Sequence, residues 1–157
     1  MKKSEIQSFF RKIRQTHTSG IMFLVIVLMA SLFYTYTRGR LLEVELNHEF
    51  LLVITTALVN LIAVIIATKH VVRSLRSHHV GEPLNNKLAG FRKAYFQQLS
   101  LTSVFILLDV LAFILTGNKL LFVEAFAVLV FVLSLNPSVE KFLKNAPLSD
   151  DEKSLFY

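Results

Sequence analysis

The chain has 157 residues, of which 54% are hydrophobic and 18% charged, and its mean hydropathy is +0.55. Soluble domains hold about 45–50% apolar and about 25% charged residues, so both values lean toward a membrane. Five glycines and three prolines exclude collagen and low-complexity disorder, and the lack of cysteine excludes a disulfide scaffold, a zinc-thiolate site and a catalytic thiol.

The first residues read as a helix. Ser4 and Gln7 have the spacing of a capping box, and Ile6, Phe9, Phe10 and Ile13 recur at helical intervals. Arg11, Lys12 and Arg14 lie on the other face. This is the pattern of an interfacial helix resting on the inner leaflet, its basic residues meeting anionic headgroups. The alternative is a straight extension of the first span, but the run Thr16–Gly20 (THTSG) reads as a break and favours a separate helix. A first apolar stretch follows at residues 20–37. No Ala-x-Ala cleavage pattern follows it, so it reads as a retained span rather than a signal peptide.

Residues 39–49 connect the first and second stretches. Glu43, Glu45 and Glu49 interleave with Leu42, Val44 and Leu46, as in a short extended piece or one interfacial turn. A solvated loop explains them more simply than an acid/base cluster of Glu43, Glu45 and His48. The second apolar stretch is residues 50–68, where Thr56, Asn60, Ala63 and Ala67 share one face. Small and polar residues on one face mark helix–helix contact in a membrane.

Residues 69–98 form a basic connection. Its first part continues the second helix, with Arg73, Arg76 and His79 on one side, placed to snorkel to headgroups. His70, His78 and His79 have only Glu82 as a nearby carboxylate, so no metal is expected. Gly81-Glu82-Pro83 makes a turn, and Asn85 or Asn86 is expected to cap the next helix. That helix begins with Phe91 and Tyr95 one turn apart, with Arg92 and Lys93 between them, and becomes the third stretch at residues 99–116. The turn Thr116-Gly117-Asn118-Lys119 then leads into a fourth at residues 120–135. About 20 residues cross a hydrocarbon core about 30 Å thick, so this last stretch is short. It must borrow from its flanks, thin the bilayer or be re-entrant. In the tail, residues 136–157, Asn136 is expected to cap a helix from Pro137 to Lys144, Ala146-Pro147 to stop it, and Ser149 with Glu152 to open another.

The net charge of +6 is unevenly spread. The N-terminal segment, the 69–98 connection and the tail hold fourteen of the seventeen Lys and Arg residues; the other connections hold Arg38, Arg40 and Lys119. The positive-inside rule puts the rich segments, and so both termini, in the cytoplasm. Aromatics do not interleave with basic residues as in nucleic-acid binding, so no nucleic acid is expected.

Two acids interrupt the spans, Asp109 and Glu124. An ionisable residue at the bilayer centre costs at least about 2.5–3.5 kcal/mol, which makes each a functional candidate. Counted from the turn at 1.5 Å per residue, they lie about 13 Å and about 10 Å deep, one turn apart, in the outer half. Thr102, Asp109 and Thr116 share a face of the third span. No Lys or Arg lies within any span. In one reading these groups hydrogen-bond inside the bundle, Asn60 to Asp109. In the other, Asp109, Glu124, Asn60, Thr102 and Thr56 form a proton or cation site. No serine-hydrolase elbow, zinc-protease helix, phosphate loop or dinucleotide fingerprint is present, so neither enzyme activity nor a cofactor is expected.

The second half carries Lys87-Leu88, Phe91-Arg92-Lys93-Ala94, Leu115-Thr116-Gly117-Asn118, Leu121-Phe122, Asn136-Pro137-Ser138-Val139-Glu140-Lys141 and Leu148-Ser149 before Glu152. Over residues 84–155 it resembles small four-span inner-membrane proteins of Bacteroidota, a group of uncharacterised role. That pattern tends to have a charged residue before the proline, where this chain has Asn136. It also tends to have Glu-Gly-Pro in the third span, where this chain has Thr102-Ser103-Val104. The resemblance implies the four-span fold and an inner membrane.

The expectation is therefore all-α: a single membrane domain, a four-helix transmembrane bundle with short interfacial helices and both termini cytoplasmic. Its expected role is an accessory or self-assembling subunit, as a homo-oligomer or within a larger membrane complex. The alternative is a homo-oligomeric proton or ion pathway through the intramembrane carboxyls.

Overall fold

In the computed structural model, residues 3–42 and 46–156 are described. They form six helices and no strand: α1 (Lys3–Arg38), α2 (Leu46–Arg76), α3 (Leu84–Thr116), α4 (Lys119–Ser134), α5 (Val139–Asn145) and α6 (Asp150–Ser154). The expected extended piece around Glu43, Val44 and Glu45 falls outside the described residues.

Helix α1 corrects the first expectation. It runs without a break through Thr16–Gly20, and Ser4 lies within it rather than capping it. The reason is a stripe at spacings of three or four: Ile6, Phe10, Ile13, His17, Ile21, Leu24, Leu28 and Ser31 are all buried. The stripe passes straight through the polar run, and Thr16 satisfies its hydroxyl by donating to the Lys12 carbonyl at 3.1 Å. The apolar face of residues 6–13 is covered by other helices instead of lipid.

Helix α3 is the centre of the arrangement, packing against α1, α2 and α4. Helices α1 and α2 flank the α3–α4 pair, each touching both members. One core joins α1, α3 and α4 through Leu24, Leu28, Ile106, Val110, Leu129 and Val132. A second core lies at the end where the two termini and the 69–98 connection meet, here called the basic end. It contains Ile6, Phe10, Leu75, Leu88, Phe91 and Phe142. There Phe142 is fully buried, its ring 6.0 Å from Phe10, 5.5 Å from Phe91 and 5.7 Å from Phe156 between centroids. Aromatic pairs at this separation add about 0.5–1.5 kcal/mol each beyond their burial.

At the opposite, hairpin end, Gly117 takes φ +71°, a left-handed conformation that closes α3 without steric cost. Asn118 caps α4 by accepting from the Leu120 N–H at 3.0 Å. The Leu42 N–H donates to the Leu115 carbonyl at 2.8 Å and ties the 1–2 connection to this turn.

Two caps differ from expectation. Helix α3 starts directly after Pro83, whose carbonyl accepts from the Asn86 N–H at 2.9 Å, and no asparagine side chain caps it. Proline fixes its own φ and leaves the preceding backbone extended, so the helix begins at the first residue free to propagate it. Helix α5 begins at Val139, two residues later than expected, because Ser138 rather than Asn136 accepts from the Lys141 N–H. The Ser149–Glu152 capping box forms as the sequence implies.

Helices α1, α2 and α3 are each long and apolar enough to cross a membrane. The sixteen residues of α4 span only about 24 Å. It qualifies only together with α5, which turns away from it by 78°. Among the described residues, three to four helices are therefore long and apolar enough to span a membrane. Large side chains such as Phe23, Ile26, Phe33, Leu58 and Ile62 point outward and are exposed over the middle of α1 and α2. A surface this apolar suits hydrocarbon rather than water.

The basic end is locked by Lys87, which is completely buried. Its ammonium donates to the Val80 carbonyl at 3.0 Å and to both oxygens of Glu152 at 3.1 and 2.8 Å. Glu152 also accepts from the Ser149 N–H at 2.9 Å, so one carboxylate closes α6 and pins it to α3. Burial opposes its charge, but the Lys87 and Ser149 hydrogen bonds prevail and hold the carboxyl below its ordinary value of 4.5. A lowered carboxyl pKa stabilises the fold above the ordinary value and is lost as pH falls through the folded one. Amide exchange of residues 150–155 should accordingly accelerate as pH drops below about 4.5, after correction for intrinsic rates. The change should vanish in Glu152→Gln. Separately, Phe142→Ala should cost about 3–5 kcal/mol in thermal or denaturant unfolding in detergent.

Candidate intramembrane polar site

One face of α2 presents Thr56 and Asn60 a single helical turn apart. The Asn60 amide donates to Asp109 Oδ2 at 2.6 Å. The Thr56 hydroxyl lies 2.8 Å from Glu124 Oε2. Each acid is thus met by a neutral group on α2, and the two acids come from the two arms of the α3–α4 hairpin. Asp109 is 2% exposed and Asn60 6%. Glu124 is only half-buried, on the side where α2 and α4 touch lightly. Buried Ala63 and Ala67 continue the same face of α2 and let its backbone approach the pair.

The chemistry of these contacts is reversible. The Thr56 hydroxyl carries one hydrogen and two lone pairs. Besides Glu124 it has the Leu52 and Val53 carbonyls within 3.0 Å. It can donate to a Glu124 carboxylate, or donate to its own backbone and accept from a Glu124 carboxylic acid. Asn60 has the same versatility, since its amide carries both donor and acceptor. Either contact survives a change in the protonation of its acid.

Four of the five residues expected at this site are therefore together. Thr102 is not with them. It is fully buried, but its hydroxyl bonds the Gln98 and Leu99 carbonyls of its own helix, about 10 Å along α3 from Asp109.

The residues expected to meet headgroups are spread around the basic end. Arg73 and Arg76 line a shallow groove with Lys69 and Ser77. Arg92 and Lys93 line another with Phe96 and Gln97. Arg11 and Arg14 line a third with Gln15, and Lys12 is exposed beside it.

Three buried polar residues gave no functional signal in the sequence: Lys87, His17 and Gln98. The Tyr95 hydroxyl is hydrogen-bonded to His17 Nδ1, joining α1 to α3. The four-residue spacing of His17 from both Ile13 and Ile21 is the signal that places it inside. In the 2–3 connection, His78 Nδ1 lies 2.5 Å from Glu82 and holds that carboxyl below the usual range, chiefly through the hydrogen bond. His78 packs on Gly90, where a Cβ would come within 2.3 Å of its ring. His70 Nε2 instead contacts Gln97 Oε1 at 2.9 Å. Among the described residues no three His, Asp or Glu side chains are grouped to hold a metal.

No family model, no curated protein and no solved structure matches the chain.

Replacing Asn60 by Leu removes the partner of a buried carboxyl and should cost about 1–3 kcal/mol. Adding Asp109→Leu should recover much of that loss, because the orphaned group is then gone. A double-mutant cycle by unfolding in detergent measures the coupling, and additive losses would deny the Asn60–Asp109 contact.

Proposed function

We propose that this small membrane protein works as a non-enzymatic accessory or self-assembling interaction subunit, lying in an inner membrane with both termini in the cytoplasm. The resemblance of residues 84–155 to small inner-membrane proteins of Bacteroidota supports the location. The charge bias toward the basic end supports the orientation.

The observation that carries the reading is the isolation of the acid pairs. The buried residues of α3 next to Asp109 are apolar, with Ile106 toward the basic end and Val110 and Phe113 toward the hairpin, before buried Thr102 and Thr116 follow. The buried face of α4 is apolar throughout, being Leu121, Ala125, Val128, Leu129 and Val132. A proton or cation path needs a continuous file of polar groups, and here Thr102 and Thr116 lie about 10 Å along α3 on either side of Asp109 with their hydroxyls donating to carbonyls of their own helix. The pairs instead do what polar groups do between helices in lipid: they fix which faces meet.

One feature favours the alternative pathway. Glu124 opens toward the outside of the single chain, where a second copy could complete a polar lining.

Gentle affinity purification with mass spectrometry, and stoichiometry in mild detergent, test the role. A larger co-purifying membrane protein, or a discrete self-assembly, is expected. Asp109→Asn should leave that assembly near wild type. Proteoliposomes should pass no more protons than empty vesicles. A proton or cation flux abolished by Asp109→Asn and by Glu124→Gln, with assembly intact, would replace this reading by the pathway.

A further inference from the structure

A cavity of about 280 Å³ lies at the basic end, between α2, the first half of α3 and the bend from α4 into α5. Its walls are of two kinds. Val71, Val72, Leu75, Phe91 and Leu135 are apolar, while Gln98, Lys141, Lys144 and Asn145 are polar. No carboxylate lines it.

Gln98 is the telling residue. It is only 4% exposed and lines this cavity. A primary amide carries two donor hydrogens and an acceptor oxygen, so at the cavity wall it can meet a polar ligand atom. Lys141 donates one hydrogen to the Ser134 carbonyl at 2.9 Å, which leaves two of its three donors. Lys144 brings a second cation, and the Asn145 amide is held by the Lys141 carbonyl at 2.8 Å. The two cations sit on α5, and the 78° bend is what brings α5 across the end of α2 and α3.

We propose that this cavity binds a phosphate-ester anion, its charge held by Lys141 and Lys144, its oxygen accepting from the Gln98 amide, and its apolar part lying against Val72 and Leu135. Two lysines without an acid select an anion. The apolar wall selects an ester with hydrocarbon attached, as in the headgroup and first methylenes of an anionic phospholipid. The same phosphate chemistry also occurs in a soluble ester. The site differs from the exposed arginine grooves in that the buried Leu75, Phe91, Tyr95 and Gln98 line it, while Thr68 and Val72 line both it and the Arg73–Arg76 groove.

The test uses the full chain in a neutral detergent, with native mass spectrometry counting bound lipid. Phosphatidylglycerol should bind saturably with one tight site, and phosphatidylcholine should not. Millimolar inorganic phosphate and glycerol phosphate form the second arm. Failure to displace the lipid identifies the headgroup as the source, and displacement at these concentrations identifies a soluble ester. Lys141→Gln with Lys144→Gln should weaken the tight site at least tenfold, and Gln98→Leu severalfold. Gln98→Glu should abolish it by placing a negative charge in the cavity. Arg73→Gln with Arg76→Gln should leave the tight site unchanged. Thermal unfolding confirms that the Gln98 variants fold, and the lysine pair is exposed enough to test the site if they do not. Wild-type affinity in the double lysine variant, or no saturable binding of any of these anions, would overturn the proposal.

Discussion

In hydrocarbon, burying a leucine against another helix gains little, because lipid tails are as apolar as the partner. Helices must then be held by close backbone approach and by polar groups that have nowhere else to bond. Helix α2 shows this plainly. Within its apolar stretch the buried residues are Asn60, Ala63 and Ala67, none of them a large hydrophobe. Its attachment to the α3–α4 pair rests on the Asn60–Asp109 and Thr56–Glu124 contacts and on the small side chains beside them. The two carboxyls are thus part of what makes a four-helix arrangement out of an α3–α4 hairpin and two flanking helices.

The basic end follows different rules. Here Phe10, Phe91, Phe142 and Phe156 pack ring against ring, and Lys87 meets Glu152 inside the fold. This is the packing of a water-soluble core, where burying aromatic surface pays. The buried ion pair adds little net energy but fixes position, since either charge alone would be costly to leave unpaired. The two regimes meet along α3, whose 33 residues serve both. Its first half supplies Lys87, Phe91 and Tyr95 to the aromatic core, and its second half supplies Asp109 to the polar pair.

Much of this could be read from the chain before any coordinates. Helical class, the boundaries of the apolar stretches, the tight turn at Gly117 and the Ser149–Glu152 box depend on local rules, and the helices end near where those rules put them. The shared face of Thr56 and Asn60 was visible from spacing alone, as were the two acids. Their pairing was not, because rotation about each helix axis is set by packing between elements. The same limit explains the misjudged N-terminus: polar Thr16, Thr18 and Ser19 look like a break only if the stripe through His17 goes unseen. Lys87 looked like one more topology charge, and nothing local to it announces a partner 65 residues away. Gln98 and its cavity exist only because α5 folds back at Pro137, a turn whose direction sequence does not specify.

The unbroken helix α1 has a mechanical consequence. Its 36 residues make a rod about 54 Å long, far longer than a hydrocarbon core. A thinner or thicker bilayer is accommodated by tilting a span. A hinge at Thr16–Gly20 would absorb that tilt locally, but a continuous helix carries it onward. Phe10 lies about 15 Å beyond Gly20, so a tilt of about 10° would swing it by nearly 3 Å. That displacement arrives directly against Phe91 and Phe142. A tilt of α1 would in this way reach the packing that holds α5 in place.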